Sequence, residues 1–219
     1  MKLFKIVMVV LLAVASNASA QGAAVSRVVL SNIGSTPPNF GTSSTADNIS
    51  ATDLIASGFT TGSDAQKLDS ISLVVSTTNT TPKTVGLYAD NGGVPGTFIK
   101  ASNSITVGMK DVYTFSFDNQ TLAASTKYWV RPDEGLAWYR SFSTPTEQNS
   151  SGFVYAGDAS STDSGGSWTI GTNPRRAISI SSTDDAGTPP EPPATVPEPA
   201  LTSLLCLGGI ALIRRRTKK

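Results

Sequence analysis

The sequence predicts an all-β chain, an antiparallel β-sandwich or jelly-roll-like domain, and three observations predict it. The body of the chain is rich in Ser, Thr, Gly and Asn and has little helical periodicity. Its apolar residues come in short runs that end in Gly, Asn, Asp or Pro. Several runs alternate, Tyr113, Phe115 and Phe117 against Val112, Thr114 and Ser116, and Ile178 and Ile180 against Ala177 and Ser179. That period of two belongs to strands with one face on a core and the other in water. Short strands at this spacing, with no helices between them, specify packed antiparallel sheets.

Taken in order, residues 1–20 read as a secretory signal helix. Lys2 and Lys5 form the charged start, residues 6–15 the apolar core, and Ala18, Ser19 and Ala20 the small-residue cleavage site before Gln21. Such a leader implies the Sec translocon and signal peptidase as partners, with Ala18 and Ala20 as the cleavage residues. The exported domain then spans residues 21–182. Its strands are expected at residues 26–31, 54–60, 68–76, 84–89, 96–102, 111–117, 127–131, 137–142, 153–156, 168–170 and 176–181.

Composition narrows the chemistry. The sole cysteine, Cys206, lies in the C-terminal tail, so the domain holds no disulfide and rests on its core. At this length that suffices, since a domain of about 150 residues buries roughly 68–70% of its unfolded surface. Histidine is absent from the whole chain. Together these remove Ser-His-Asp and Cys-His nucleophiles, thiolate or imidazole zinc sites and histidine acid–base work. Residues 21–199 carry ten basic against sixteen acidic side chains, a net charge near −6. A mildly acidic domain without a basic stripe argues against nucleic acid and polyanions as partners.

Residues 90–96, Asp-Asn-Gly-Gly-Val-Pro-Gly, join two strand-like runs with the Asn-Gly and Pro-Gly pairs of a tight hairpin. A rival reading makes Asp90 and Asn91 oxygen ligands of calcium, which takes 6–8 oxygens; no other cofactor is expected. Around residues 122–130, Leu122 is expected on the core, with Tyr128 and Val130 on one strand face and Trp129 on the other. Trp129 and Trp168 are expected in the core, the default for large aromatics in a sandwich. Trp138 and Tyr139 adjoin on opposite strand faces, so one of them is expected outward, where a flat ring suits a sugar; they are the candidate ligand-binding residues. Asp133 and Glu134, with Glu147 beyond, are a candidate carboxylate pair for glycoside hydrolysis, against the plainer reading of a solvated turn. Residues 163–167, Asp-Ser-Gly-Gly-Ser, read as a mobile loop.

Residues 183–195 are a Pro-rich spacer of extended, partly polyproline II character. Residues 196–219 follow as Val196, Pro197, Glu198 and Pro199, an apolar run over 200–213, then Arg214, Arg215, Arg216, Thr217, Lys218 and Lys219. As a short helix the 14-residue run reaches roughly 21 Å, less than the roughly 30 Å hydrocarbon core of a bilayer. The basic end favours the cytoplasmic side. A marginal span of this kind pauses a chain in the membrane with its C-terminus inward.

These three parts in this order resemble the PEP-CTERM sorting signal of Gram-negative, often biofilm-forming bacteria. The resemblance implies an exosortase-type membrane protease as partner, with Val196, Pro197, Glu198, Pro199 and Arg214, Arg215 and Arg216 as the sorting residues. The order of Phe59-Thr60-Thr61-Gly62, Leu68-Asp69-Ser70-Ile71, Leu87-Tyr88-Ala89-Asp90, Gly93-Val94-Pro95-Gly96, residues 122–130 and Trp168 is similar to the exported domain named choice-of-anchor R, from about Asn39 to Ser182. That resemblance implies an exported β-rich fold and no assigned activity. The function expected is an exported, non-enzymatic cell-surface or matrix protein associated with exopolysaccharide. It crosses the inner membrane, is transiently held there, and ends at the surface or outside the cell. The alternatives are a carbohydrate-binding module at the cell surface and, third, a carboxylate-based glycan hydrolase.

Overall fold

The computed structural model describes residues 25–33, 42–171 and 175–184. The leader with Ala18 and Ala20, the spacer, and the tail with residues 196–199 and Arg214 to Arg216 lie outside the described residues. Those described contain no helix and thirteen strands: β1 (Ser26–Ser31), β2 (Thr42–Asn48), β3 (Leu54–Thr60), β4 (Gln66–Ser76), β5 (Val85–Asn91), β6 (Val94–Ala101), β7 (Asp111–Leu122), β8 (Lys127–Pro132), β9 (Ala137–Ser141), β10 (Thr146–Glu147), β11 (Val154–Ser161), β12 (Thr169–Gly171) and β13 (Ile178–Asp184).

They form two antiparallel sheets, consistent with a β-sandwich. The first has the order β10-β1-β13-β4-β9-β2, with β7 on the other edge of β4; the second has the order β12-β11-β3-β8-β5-β6. β4 organises the first sheet. One of its edges carries β7 from Gln66 to Val75. The other carries β13 as far as Leu73 and then β9 at Val75 and Ser76. Residues just before β13 continue along β9, Ala177 N–H donating to Tyr139 O at 3.0 Å and Ser141 N–H to Arg175 O at 2.8 Å.

Alternation decides which side chains meet between the sheets. Leu68, Ile71, Leu73 and Val75 of β4, Phe115 and Phe117 of β7, and Ile178 and Ile180 of β13 face Ile55 and Phe59 of β3, Leu87 of β5, and Tyr128 and Val130 of β8. Phe59 stacks at 5.8 Å on both Tyr128 and Phe153. Burying a side chain of this size contributes about 1.5–3 kcal/mol, enough for such a core to stand without a disulfide.

Two strands depart from the expected set. β2 has the sequence Thr-Ser-Ser-Thr-Ala-Asp-Asn, with no apolar alternation to mark it, and among the described strands it pairs with β9 alone. β10 is two residues long. β7 also runs on to Leu122 instead of ending at Phe117. Asp118 and Asn119 adopt positive φ, 48° and 55°, forming a bulge opposite β4 after which pairing resumes.

Candidate functional site

The expected aromatic pair splits across the first sheet. Trp138 points inward and is fully buried, its Nε1–H donating to Ala177 O at 2.9 Å. An indole in that position fills the core, satisfies its one donor and has no surface to offer a ligand. Tyr139 points the opposite way, onto the outer face, where it packs beside Val74 and Ala177. Its hydroxyl lies 3.3 Å from Ser76 Oγ, and Lys110 Nζ stands 4.4 Å from the centre of its ring.

Ser76 and Lys110 also line a cleft of about 540 Å³. The end of β2 contributes Asn48 and Ile49 follows it; the end of β4 contributes Ser76, leading into Thr77 and Thr78; the β8–β9 connection supplies Gly135 and Leu136 and the start of β9 Ala137; the approach to β7 supplies Met109 and Lys110. Backbone bonds tie these walls together. Ile49 N–H donates to Leu136 O at 2.8 Å and Gly135 N–H to Ile49 O at 2.7 Å. Thr77 N–H donates to Gly108 O at 2.8 Å, and Thr77 Oγ1 to Gly135 O at 2.7 Å. The Tyr113 hydroxyl accepts from Gly108 N–H at 2.9 Å and donates to Met109 O at 3.0 Å. Met109 itself is 88% exposed at the rim. Sequence reasoning finds Tyr139 through strand alternation and misses Asn48, Met109 and Lys110, which come from separate segments.

The outer face of the second sheet is aromatic but closed. Trp129 is fully buried there, on the face opposite the inter-sheet core. It lies over Gly58, where a Cβ would come within 3.1 Å of the ring. Lys127 Nζ covers it at 4.4 Å, and Asp90 Oδ1 accepts its Nε1–H at 2.7 Å. Tyr88 lies likewise beside Gly86, under the Arg131 guanidinium at 4.5 Å and against the edge of Phe98. Trp168, expected in the core, is only partly buried, because it packs on this outer cluster and not between the sheets. Cationic side chains already occupy the ring faces a sugar would use on Trp129 and Tyr88.

The remaining candidates are held by local bonds. Asp90 Oδ2 accepts from Gly93 N–H at 3.0 Å in a turn whose Gly92 and Gly93 have φ of 65° and 98°. Burial pushes the Asp90 carboxyl upward, but the bonds from Trp129 and Gly93 and the charge of Lys127 outweigh it and hold it below its ordinary value. Both its oxygens face donors, an arrangement unlike a calcium ligand's. Among the described residues, no group of three or more His, Cys, Asp or Glu gathers as a metal site needs. Asp133 Oδ2 accepts from Thr84 N–H and Oγ1 at 2.7 and 2.9 Å. With Glu134 it lines a depression of about 350 Å³, and among the described residues no other acid lines it to face the pair across the hollow. Asp163 ties its own loop together, accepting from the N–H and hydroxyl of Ser167 and from Ser161 Oγ, and those bonds hold its carboxyl down to about 2.

Two acidic residues that the sequence does not single out organise a polar cluster. Asp47 on β2 accepts from Arg140 Nε and Nη2, at 2.7 and 2.6 Å, and from Arg176 Nη1. The Arg140 bond in particular holds the Asp47 carboxyl below its ordinary value, against burial. Asp158 on β11 is 5% exposed. The Ser57 and Tyr155 hydroxyls and the Arg176 backbone N–H come near it, but both of its oxygens lack a partner in hydrogen-bonding geometry, as do Tyr155 OH and Arg176 Nε. Burial pushes its carboxyl up to about 6.

No protein-family model matches the chain, and neither the curated proteins nor the solved structures contain a match.

Proposed function

We propose that the chain is an exported, non-enzymatic cell-surface or matrix protein of a bacterium, processed at a C-terminal sorting signal and associated with exopolysaccharide. The observation that carries the reading is the order of the tail, Pro-rich spacer, Val196-Pro197-Glu198-Pro199, apolar run and arginine cluster, beyond a domain whose last described strand pairs with its first. Ser26 stands opposite Thr183, so the first and last described strands begin and end at the same end of the sheet, which suits a domain carried on a tether. The lack of histidine and of cysteine outside the tail removes imidazole acid–base groups and thiol nucleophiles, and among the described residues the predicted acid pair has no partner across its hollow.

Intact masses of the protein from membrane, surface and medium fractions of its host, with and without the exosortase, test this. The expected species lacks residues 1–20 and a C-terminal piece beginning near residues 196–199. A membrane-bound species that keeps residues 200–219 in the presence of the exosortase overturns the processing step and leaves a tethered domain.

The second reading, a carbohydrate-binding module, is favoured by the cleft beside Tyr139. Its volume falls within the roughly 300–1,000 Å³ of small-ligand sites, and its walls are tied together before any ligand arrives.

A further inference from the structure

We propose that this cleft is a subsite for an uncharged sugar unit of a polysaccharide, gripped by the Asn48 carboxamide and the Thr78 and Ser76 hydroxyls and covered on one side by Met109. The inference rests on the carbohydrate-binding reading of the same cleft and is independent of export and tail processing.

The chemistry of the lining selects the ligand. Asn48 offers two donors and an acceptor, and the hydroxyls of Ser76 and Thr78 each donate and accept. A ligand rich in hydroxyls matches groups of both kinds, whereas a purely apolar ligand would strip water from them without replacing it. Among the described residues no carboxylate lines the cleft, which disfavours a cation. Lys110 is the single cation among the described lining residues, and residues 21–182 carry ten basic against twelve acidic side chains, a net charge near −2, so the domain holds no excess of positive charge to draw in an anionic polymer. A sugar ring also presents an apolar C–H face, and the cleft supplies its counterpart in Met109 and Ala137.

Pre-organisation separates this cleft from an ordinary surface hollow. Methionine is flexible, yet the backbone that carries Met109 is pinned on both sides by the Tyr113 hydroxyl and by Thr77. Little ordering of the loop is left to oppose a ligand that docks under it. A large apolar side chain left 88% exposed on a pinned loop, over a cleft with hydroxyls inside, has the form of a binding edge.

The test is affinity electrophoresis of the mature protein isolated from its host through gels containing dextran, mixed-linkage β-glucan or galactomannan, with alginate as the acidic comparison. Retardation by at least one neutral polymer and not by alginate is expected. The double variant Asn48→Ala with Met109→Ala changes two exposed side chains and is expected to weaken that retardation about tenfold or more. Phe98→Ala, on the second sheet, is expected to leave it intact. If the neutral polymers retard wild type and the double variant equally, or if Phe98→Ala abolishes retardation, the protein binds glycan elsewhere and the cleft assignment is overturned. Retardation by alginate alone overturns the choice of an uncharged sugar. No retardation by any polymer overturns both the subsite and the carbohydrate-binding reading.

Discussion

Asp158 is a carboxylate in a place that suits a neutral group. Its surroundings are Ser57 from β3, Tyr155 from its own strand and Arg176 from the segment before β13, while the Arg176 guanidinium is bonded to Asp47. Burial raises the folded carboxyl to about 6 from an ordinary 3.8. The folded state therefore holds the proton longer than the unfolded chain does. Its favourable contribution is complete below about pH 4 and is lost as pH rises to 6, a change of up to about 3 kcal/mol. Asp47 and Asp90 have the opposite sign: held below 3.8, they stabilise fully above that pH and lose their contribution as pH falls further. Stability to urea should thus peak near about pH 4–5 and decline towards pH 7, and Asp158→Asn should flatten the decline. Equal slopes for variant and wild type across pH 4 to 7 would show that Asp158 titrates normally. None of this is legible in Gly157-Asp158-Ala159-Ser160, which reads as a polar strand; the surroundings that bury Asp158 come from distant segments, Ser57 of β3 and Arg176 before β13. The outward turn of Tyr139 is legible because alternation places it opposite Trp138. The walls of its cleft are not, since Asn48, Ser76 and Lys110 lie far apart in the chain and meet only through the topology of β2, β4, β7 and β9.

Strands with a buried apolar face announce themselves, and those held by other means do not. β1 and β3 fall at the residues expected, and Phe115, Phe117, Ile178 and Ile180 face the core as their alternation requires. β2 is the opposite case. Besides its pairing with β9, it is tied by Asp47, whose carboxylate accepts from both Arg140 and Arg176. The two guanidiniums are not equivalent, for the Arg176 side chain is 5% exposed and that of Arg140 35%. Asp47→Ala leaves a buried cation without its partner, which costs about 3–5 kcal/mol. Arg140→Ala removes only the outer arm and leaves Asp47 paired with Arg176, so about 1 kcal/mol is expected. Chemical denaturation of the two variants checks the ordering. If Arg140→Ala proves as costly as Asp47→Ala, the anchor of β2 is the outer pair and the buried one is incidental. The bulge at Asp118 and Asn119 teaches a related lesson, because the Asp-Asn pair that signals the end of a strand here interrupts one that resumes and delivers Leu122 to the core.

At the scale of the whole molecule, the first and last described strands are neighbours. β1 pairs with β13 from Ser26 opposite Thr183 to Ser31 opposite Ser179, and β13 in turn pairs with β4. The sheet is thus completed by its C-terminal strand, which joins the N-terminal strand to β4 and places Ile178 and Ile180 among the buried side chains of both sheets. The apolar pattern predicts that β13 exists, but its place between β1 and β4 is set by long-range pairing that no local signal encodes. Two truncations separate its role from that of the chain beyond it. Removing residues 185–219 takes away no described strand of either sheet, so thermal unfolding should stay cooperative with its midpoint within about 2 °C of the full-length protein. Removing residues 178–219 strips β1 of its main partner and uncovers Ile71 and Leu73 on β4, which in the intact sheet stand opposite Ile180 and Ile178. With that edge of β4 bare and two core side chains gone, the shorter chain should lose cooperative unfolding and its dispersed amide spectrum. A shorter chain that still melts cooperatively within a few degrees of the intact one would mean that the sandwich closes without its last strand, and that β1 and β4 find another partner.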